Sequence, residues 1–379
     1  MSLPTFALSL HADWRCGRSG ACCTAGWPIP VEPEVAVGLR AGLASQRLSP
    51  PAGRDEARLL PRPAGLADGS AALLGHDAQG ACLFFDHGRG RACAIHRDLG
   101  HEALPVACRL FPRVCVLEPH GVSITLSHSC PTVAARLFDE QAPLTIVADP
   151  PAFPRGALYE GLDARRALPP LLRPDALLGW EGQRAFERHA VAALADERGL
   201  VEETLLRLAA RVERARAWRV ELGPLDDWLA RALDGPVEVG AAPAWARRQP
   251  RELLAPVLAS LVHPAGELAG LSAGEAHDRG WLAARWPDFE QPLRRFLAAQ
   301  AFASWVAHQG RGLRTRVLAL LMALALVRAR AGQLCGRAGV ELDAALLLRA
   351  IRDADLLLRH LCAPEELARR LSAVEEQPA

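Results

Sequence analysis

From about residue 155 onward, apolar residues recur at the spacing of amphipathic helices. One stripe that repeats every three or four residues consists of Val201, Leu205, Leu208 and Val212. Glu203 and Arg207 stand four positions apart beside it, which is the spacing of a favourable ion pair on a helix. Proline and glycine cluster near residues 223–224, 235–243 and 264–274, where they would separate successive helices. The pattern predicts a domain built of helices.

The first part of the chain has no continuous period. Between residues 6 and 30, glycines and prolines interrupt each apolar run. A helix is predicted from about Glu32 to Ala44, because Pro33 suits a first helical turn. Residues 48–80 are rich in Pro, Gly and Ala and are predicted to be a loop or an insertion.

Short strands and helices are predicted next. Val114–Leu117 and Val122–Leu126 have strand character, with a Pro-His-Gly turn between them. Glu102–Leu110 is predicted as a helix, and a further helix is predicted from Pro131 to Phe138. We therefore expect a mostly helical α+β protein. An irregular cysteine-cluster domain with short strands would occupy residues 1–150, and a larger all-α domain would occupy residues 151–379.

Composition limits the classes of function. The chain has 379 residues, half of them hydrophobic, and a net charge of +1. It can bury a sizeable core, and its charge indicates neither nucleic acid nor an anionic membrane as a partner. All 44 basic residues are arginine. Without lysine, Schiff-base chemistry at a lysine and a P-loop are both excluded.

The sequence also predicts a cellular location. The start of the chain has no basic segment, and its apolar run is too short for a secretory signal. The longest apolar run, Val317–Val327, lies between Arg316 and Arg328. As a helix it would rise about 16 Å, well short of the ~30 Å hydrocarbon core of a bilayer. We expect a soluble cytoplasmic protein, in which cysteines are reduced.

The cysteines are concentrated in the first third of the chain. Eight of the ten lie there, namely Cys16, Cys22, Cys23, Cys82, Cys93, Cys108, Cys115 and Cys130. Such a group of thiols in an intracellular chain indicates a metal or cluster site, because zinc and iron–sulfur clusters are held by several sulfurs from separate segments. The alternative is that they are buried, inert thiols, since cysteine is among the most buried residue types.

The spacing of the cysteines argues against simple zinc modules, which commonly use C-x2–4-C pairs, because the sequence has no C-x2-C pair. On an extended strand, Cys22 and Cys23 would point to opposite faces and could not easily bind one ion together. A turn there would instead aim them at different metals, or leave one of them outside the metal shell.

Several of these segments resemble a known family. Cys16-x2-Ser19-x2-Cys22-Cys23 is similar to the CxxCxxCC signature of the YkgJ-type cysteine-cluster family, a zinc- or iron-chelating group, with Ser19 at the family's second cysteine. The segments that begin at Cys82, at Cys93 and at Cys108 resemble the second half of that signature. The match covers roughly residues 6–140.

Two further details resemble the longer flagellin lysine-N-methylase branch of the family. They are Trp27 shortly after the cysteine pair, and Ser129-Cys130-Pro131 followed by Ala-Arg-Leu. The resemblance implies an iron–sulfur cluster of the [4Fe–4S] type, or zinc. If the chain is an enzyme, it implies a methyltransferase that uses S-adenosylmethionine and acts on lysine in a flagellin-like protein. The alternatives are a non-catalytic chelating protein and a redox partner.

The candidate ligands differ in weight. Those on matched motif positions are Cys16, Cys22, Cys23, Cys82, Cys93, Cys108 and Cys130. Cys115 has no motif position, and the sequence leaves open whether it is a metal ligand or a core thiol. Either Cys115 or Cys130 could supply the sulfur that Ser19 lacks. Cys335 and Cys362 lie in apolar helical surroundings and are predicted to be core thiols. Near the motifs, His96 is a candidate ligand or hydrogen-bond donor, and Arg109 and Arg113 are candidates to stabilise thiolates.

Motifs of other catalytic classes are absent from the sequence. It has no HExxH, no glycine-rich dinucleotide loop and no GxSxG. The CxxxCxxC spacing of radical S-adenosylmethionine enzymes and the glycine-rich methyl-donor loop of Rossmann methyltransferases are also missing. The sequence therefore identifies no catalytic residue and no residue for a methyl donor.

Overall fold

The protein is described from a computed structural model, which covers residues 3–51, 58–61, 69–88, 92–139, 143–157, 159–196, 198–262, 265–271 and 279–376. Its strands are β1 Thr5–Leu8, β2 Pro30–Val31, β3 Leu59–Pro61, β4 Ala72–Leu74, β5 Phe85–Asp86, β6 Ala92–Cys93, β7 Arg113–Glu118, β8 Gly121–Leu126, β9 Ile146–Ala148, β10 Leu162–Asp163, β11 Leu171–Arg173 and β12 Ala176–Leu177. Its helices are α1 Pro33–Ala44, α2 Ala94–Leu99, α3 Val106–Leu110, α4 Pro131–Ala135, α5 Trp180–Ala195, α6 Val201–Arg216, α7 Leu225–Asp234, α8 Pro250–Ala259, α9 Arg279–Ala283, α10 Glu290–Ala301, α11 Val306–Gln309, α12 Leu313–Ala338, α13 Ala344–Leu356 and α14 Pro364–Glu376. The predicted fold class, mostly helical α+β, is confirmed.

The chain divides into two compact units. The helical unit contains Met1–Trp14, Val114–Ser129 and Val133–Ala379, and the cysteine unit contains Arg15–Arg113 and Cys130–Thr132. The boundary predicted between residues 150 and 151 stays a prediction. The compact units divide the chain elsewhere because β1 pairs with β8, which ties the first residues of the chain to a sheet formed much later.

The helical unit contains a five-stranded sheet in the order β10-β7-β8-β1-β9. Strand β1 is parallel to β8, with Thr5 opposite Val122, and antiparallel to β9, with Phe6 opposite Ala148. Every residue of β8 is buried, which suits its run of β-branched and aliphatic side chains. The hydroxyl of Thr125 donates to the carbonyl of Ala299 at the end of α10, so the sheet packs directly on a helix.

Helix α12 is the long central helix of this unit and packs against α6, α8, α10, α13 and α14. Within the described residues it is the one helix that is long and apolar enough to cross a membrane, and 72% of its most apolar window is buried inside the protein. It extends beyond the predicted run Val317–Val327 because its arginines have internal partners. Arg316 donates to Gln183 at 2.6 Å, and Arg330 pairs with Asp353 at 2.8 Å. Such burial is that of a core helix.

The cysteine unit contains two small sheets. Strand β4 lies between β2 and β3, and β5 pairs with β6. The segment predicted as a loop over residues 48–80 thus contains β3 and β4, while residues 52–57 and 62–68 lie outside the described residues. Helix α1 begins at Pro33 as predicted.

The single helix predicted over Glu102–Leu110 is wrong. A 3-10 turn at His101–Ala103 is followed by α3, and Leu104 between them is extended, with ψ of 145°. The reason is Pro105, because a proline disfavours helical geometry in the residue before it. The strands predicted at 114–117 and 122–126 and the helix start at Pro131 are confirmed.

Half-buried His189 on α5 makes the helical unit sensitive to acid. Burial, and then the positive charge of Arg211, lower the pKa of His189 to about 4 from an ordinary 6.5. The unfolded chain therefore binds a proton at this histidine below pH 6.5, whereas the folded chain binds it only below about pH 4. Stability is lost as the pH falls between these two values. When the pH falls from 7 to 5, the free energy of unfolding of His189→Gln is expected to fall by about 2 kcal/mol less than that of the wild type. Urea unfolding at both pH values measures the difference, and an equal loss in the two proteins would contradict the assignment.

Candidate metal centre

Cys22 and Cys23 lie on a 3-10 turn, Ala21–Cys23, and not on an extended strand. Gly20 precedes the turn with a φ of 72°, and a side chain there would overlap the ring of Phe85. The turn brings the two sulfurs to 3.9 Å from each other. The alternative of a turn at this pair is therefore the one observed, and its two sulfurs lie close together. That the turn aims them at different metals, or leaves one of them outside the metal shell, stays a prediction.

The thiols of Cys22 and Cys23 differ in pKa. The hydrogen bond with Cys23 lowers the pKa of Cys22 to about 7, although burial acts in the opposite direction. The same hydrogen bond, together with burial, raises the pKa of Cys23 far above its ordinary value. Cys22 is therefore the sulfur of this pair that ionises first, with the Cys23 thiol as its hydrogen-bond donor. The indole of Trp27 fixes the turn by donating to the carbonyl of Cys22 at 2.8 Å.

Three other segments bring cysteines towards this turn. The backbone N–H of Cys82 donates to the carbonyl of Cys23 at 2.7 Å, which ties the two segments together directly. Cys93 is the last residue of β6, where it lies opposite Phe85. Cys108 lies in the middle of α3.

The electrostatic environment shows that these sulfurs are neighbours. Burial raises the pKa of Cys108 well above its usual value, and the charges of Cys82, Cys93, Cys22 and Glu32 raise it further. Burial also raises the pKa of Cys93, against the backbone amides of His96 and Ile95 and the guanidinium of Arg97. We call this set the thiol group; its members are Cys22, Cys23, Cys82, Cys93 and Cys108.

The remaining predicted ligands are Cys16, Cys130 and Cys115. Cys16 is exposed, and its sulfur accepts the backbone N–H of Arg18 at 3.4 Å. Cys130 is buried in the cysteine unit, directly before α4. Cys115 is buried in β7 of the helical unit, where its carbonyl accepts the indole N–H of Trp305 at 3.1 Å. Their roles as ligands stay predictions.

Cys335 and Cys362 are both buried in the helical unit. The thiol of Cys362 donates to the carbonyl of Val257 at 3.4 Å. This placement is in keeping with their predicted role as core thiols.

Two charged residues that sequence reasoning missed act on the thiol group. Arg97, which lowers the pKa of Cys93, is itself held by Asp86 at 3.2 Å and Asp98 at 2.7 Å. The carboxylate of Glu32 accepts the backbone N–H of Val106 at 3.3 Å, at the start of the helix that carries Cys108. The Cys93-Ala-Ile-His motif pointed to the histidine, whereas Arg97, the residue after it, carries the charge.

The other polar residues predicted near the motifs are His96, Arg109 and Arg113. His96 is exposed, with its ring centroid 5.8 Å from that of His101. Arg109 donates to the carbonyl of Glu102 at 3.2 Å. Arg113 is half-buried at the start of β7.

The sulfur atoms of the thiol group are the type of ligand that thiophilic metals bind. The group offers five sulfurs from four separate segments, with one lowered pKa and one arginine to balance negative charge. In the part of the chain that the structure describes, no three His, Cys, Asp or Glu side chains form a group that could hold an ion as they stand. Neutral thiols are weak hydrogen-bond donors and acceptors, so little draws several sulfurs to one point before a metal binds them.

Comparison of the chain with models of protein families, with curated proteins and with solved structures found no match.

Proposed function

We propose that this protein binds a metal centre through the thiol group, with an iron–sulfur cluster favoured over zinc. The observation that carries the proposal is the grouping of cysteines from four chain segments. It is seen in the 3.9 Å between the sulfurs of Cys22 and Cys23, in the backbone bond from Cys82 to Cys23, and in the influence of the other thiols on Cys108. Inert core thiols need no such grouping. Cys335 and Cys362, which are buried in the helical unit, are examples of the core thiols that would be the alternative. The absence of a C-x2-C pair supports the preference for iron–sulfur.

Within this proposal, the residues have distinct parts. Cys22, Cys82, Cys93 and Cys108 would hold the metal, and the Cys23 thiol would ligate it or stabilise the thiolate of Cys22. Arg97 would offset the negative charge that the bound sulfurs accumulate. When bound, an iron–sulfur cluster supplies one-electron transfer, whereas zinc supplies structural cross-linking.

The activity that would use the centre rests on the sequence resemblance. Methyl transfer from S-adenosylmethionine to lysine of a flagellin-like protein is one candidate; non-catalytic chelation and a redox partnership are the alternatives. We infer a cytoplasmic protein without nucleic-acid or membrane partners, on the support of its balanced charge and the burial of α12. Calorimetric titration of the metal-loaded protein with S-adenosylmethionine separates the candidates, because only the methyltransferase predicts binding.

Protein purified without oxygen is expected to contain bound metal. Iron with acid-labile sulfide and a broad visible absorption band would identify a cluster, and stoichiometric zinc in a colourless protein would identify a zinc site. Elemental analysis and an absorption spectrum of the same sample make the measurement. A colourless protein without iron, zinc or sulfide would refute the proposal.

A further inference from the structure

Two histidine side chains meet in the core of the helical unit. His11 ends the short turn that follows β1, and His128 comes shortly after the end of β8. Both residues are 0% exposed, and their ring centroids lie 5.5 Å apart at an interplanar angle of 46°. The ring of Phe296 on α10 also lies 5.5 Å from that of His128. The pair is therefore a buried contact beside the ends of two neighbouring parallel strands.

Neither ring has a hydrogen-bond partner among the residues that the structure describes. The atoms concerned are Nδ1 and Nε2 of His11 and Nδ1 and Nε2 of His128. The large majority of buried polar atoms in proteins are hydrogen-bonded, to the protein itself or to ordered water, because burial without a partner is costly. Four such atoms on two adjoining rings therefore indicate a partner that the chain does not supply.

The charged groups that act on the two rings already have partners of their own. Asp355 and Arg359, which act electrostatically on His128, pair with each other at 3.0 Å. Arg136, which acts on His11, donates to a backbone carbonyl at 2.6 Å. These side chains surround the pair without bonding to its nitrogens.

Burial keeps both imidazoles neutral at pH 7. It is the first cause of a pKa of about 4 at His128, and it lowers the pKa of His11 well below 6.5. A neutral imidazole has one nitrogen that donates a hydrogen bond and one that accepts. A molecule that completes both kinds of nitrogen must itself accept and donate, and water does both.

A metal ion is the competing occupant, because neutral imidazole is also a common metal ligand. Two observations favour water. An ion would bind only a lone pair of each ring, so the N–H of each ring would still lack an acceptor. In addition, the described part of the chain contains no group of three His, Cys, Asp or Glu side chains that could hold an ion, so His11 and His128 have no third ligand beside them.

We propose that His11 and His128 form a binding site for ordered water, which bridges a nitrogen of one ring to a nitrogen of the other. A buried water molecule typically makes about three hydrogen bonds to polar groups without other partners, which is what the two rings offer. The bridge would join the turn after β1 to the segment after β8. It would thereby add a side-chain link to the backbone pairing of the two strands, in which Thr5 lies opposite Val122.

A crystal structure of the full chain tests the proposal directly. A water peak is expected at hydrogen-bond distance, about 2.7–3.2 Å, from one nitrogen of each ring. Data collected at the absorption edges of iron, copper and zinc should show no anomalous signal at this peak. An anomalous peak between the rings would identify a metal ion and overturn the proposal. A map without density there, or with a peak that contacts only one ring, would overturn it as well.

Nuclear magnetic resonance on protein with isotopically labelled histidine tests the same site in solution. The carbon-bound ring protons of His11 and His128 should show nuclear Overhauser contacts with water. These protons do not exchange with solvent, so a contact reports a water molecule held beside the ring. Wild-type spectra without any such contact would contradict the proposal, and this measurement needs no variant to fold.

A matched pair of variants shows whether the water bridges the two rings. In His11→Phe the water contact of His128 should be lost, because the bridge loses one of its two partners. In His101→Phe it should remain, because the side chain of His101 is 52% exposed and lies in the cysteine unit. An unchanged water contact of His128 in His11→Phe would show that the water does not bridge the pair and would overturn the proposal.

Discussion

Replacing Cys108 by serine is expected to remove most of the metal from the protein. Three other thiols act on Cys108, namely Cys82, Cys93 and Cys22. Serine has a similar volume but presents a hard hydroxyl in place of a soft thiolate. The affinity should fall by more than the factor of about 10–100 that loss of an outer-shell partner costs. The measurement is metal per chain in protein purified without oxygen.

Cys335→Ser and Cys362→Ser are the matched controls for this change. Both thiols are buried in the helical unit, with exposures of 0% and 5%. Each variant should keep its metal and lose about 1–3 kcal/mol of stability, because a buried hydroxyl requires a hydrogen-bond partner. Full metal content in Cys108→Ser would remove Cys108 from the metal shell, and equal loss in all three variants would show that the effect is one of folding.

The substitution of Cys115 tests a different point. Ser19 stands where the resembling family has a cysteine, and Cys115 was a candidate for the missing ligand. In the structure Cys115 is buried in a strand of the helical unit, and its carbonyl is held by Trp305. If Cys115→Ser loses metal and an added Ser19→Cys restores it, Cys115 compensates for the serine; full metal content in Cys115→Ser makes it a core thiol.

Local elements were predictable where proline or a regular period marks them. Helix α1 begins at Pro33 and α4 begins at Pro131, because proline fits the first turn, where its missing N–H costs nothing. The pairing of β1 with β8 was not predictable. It joins Thr5 to Val122, and an alternating pattern marks a strand without naming its neighbour.

Buried charges were the main obstacle in the helical part. In the sequence Arg316 marks the start of the apolar run on α12, but in the structure it is buried and donates a hydrogen bond to Gln183. That partner lies on α5, so no spacing in the sequence connects the two residues.

The cysteine site was predicted in composition but not in detail. Clustering along the chain gave eight candidate cysteines, and it did not separate the five members of the thiol group from Cys16, Cys115 and Cys130. It could not decide between an extended strand and a turn at Cys22 and Cys23, which depends on the left-handed backbone at Gly20. Arg97 was missed because an arginine next to a motif looks the same in sequence whether or not its charge acts on a sulfur.

Removing the metal is expected to open the cysteine unit while the helical unit stays folded. The sheets of the cysteine unit consist of strands of two or three residues, so bound metal would supply much of its stability. A structural metal site contributes on the order of 10–16 kcal/mol of binding free energy, and that energy becomes folding free energy. The helical unit has its own sheet and the buried helix α12, and neither includes a member of the thiol group.

Limited trypsin digestion after chelation measures this effect, since cleavage is restricted to arginine in a chain without lysine. Arg40 and Arg47 are exposed in the cysteine unit, and Arg188 and Arg231 are exposed in the helical unit, so each unit offers comparable sites. Chelated protein should be cut in the cysteine unit well before the helical unit and should keep most of its helical circular dichroism. Untreated Cys108→Ser should show the same order of cleavage. Cleavage at equal rates in both units would show that the division into two units is wrong. Rates that chelation does not change would mean that the cysteine unit is stable without metal.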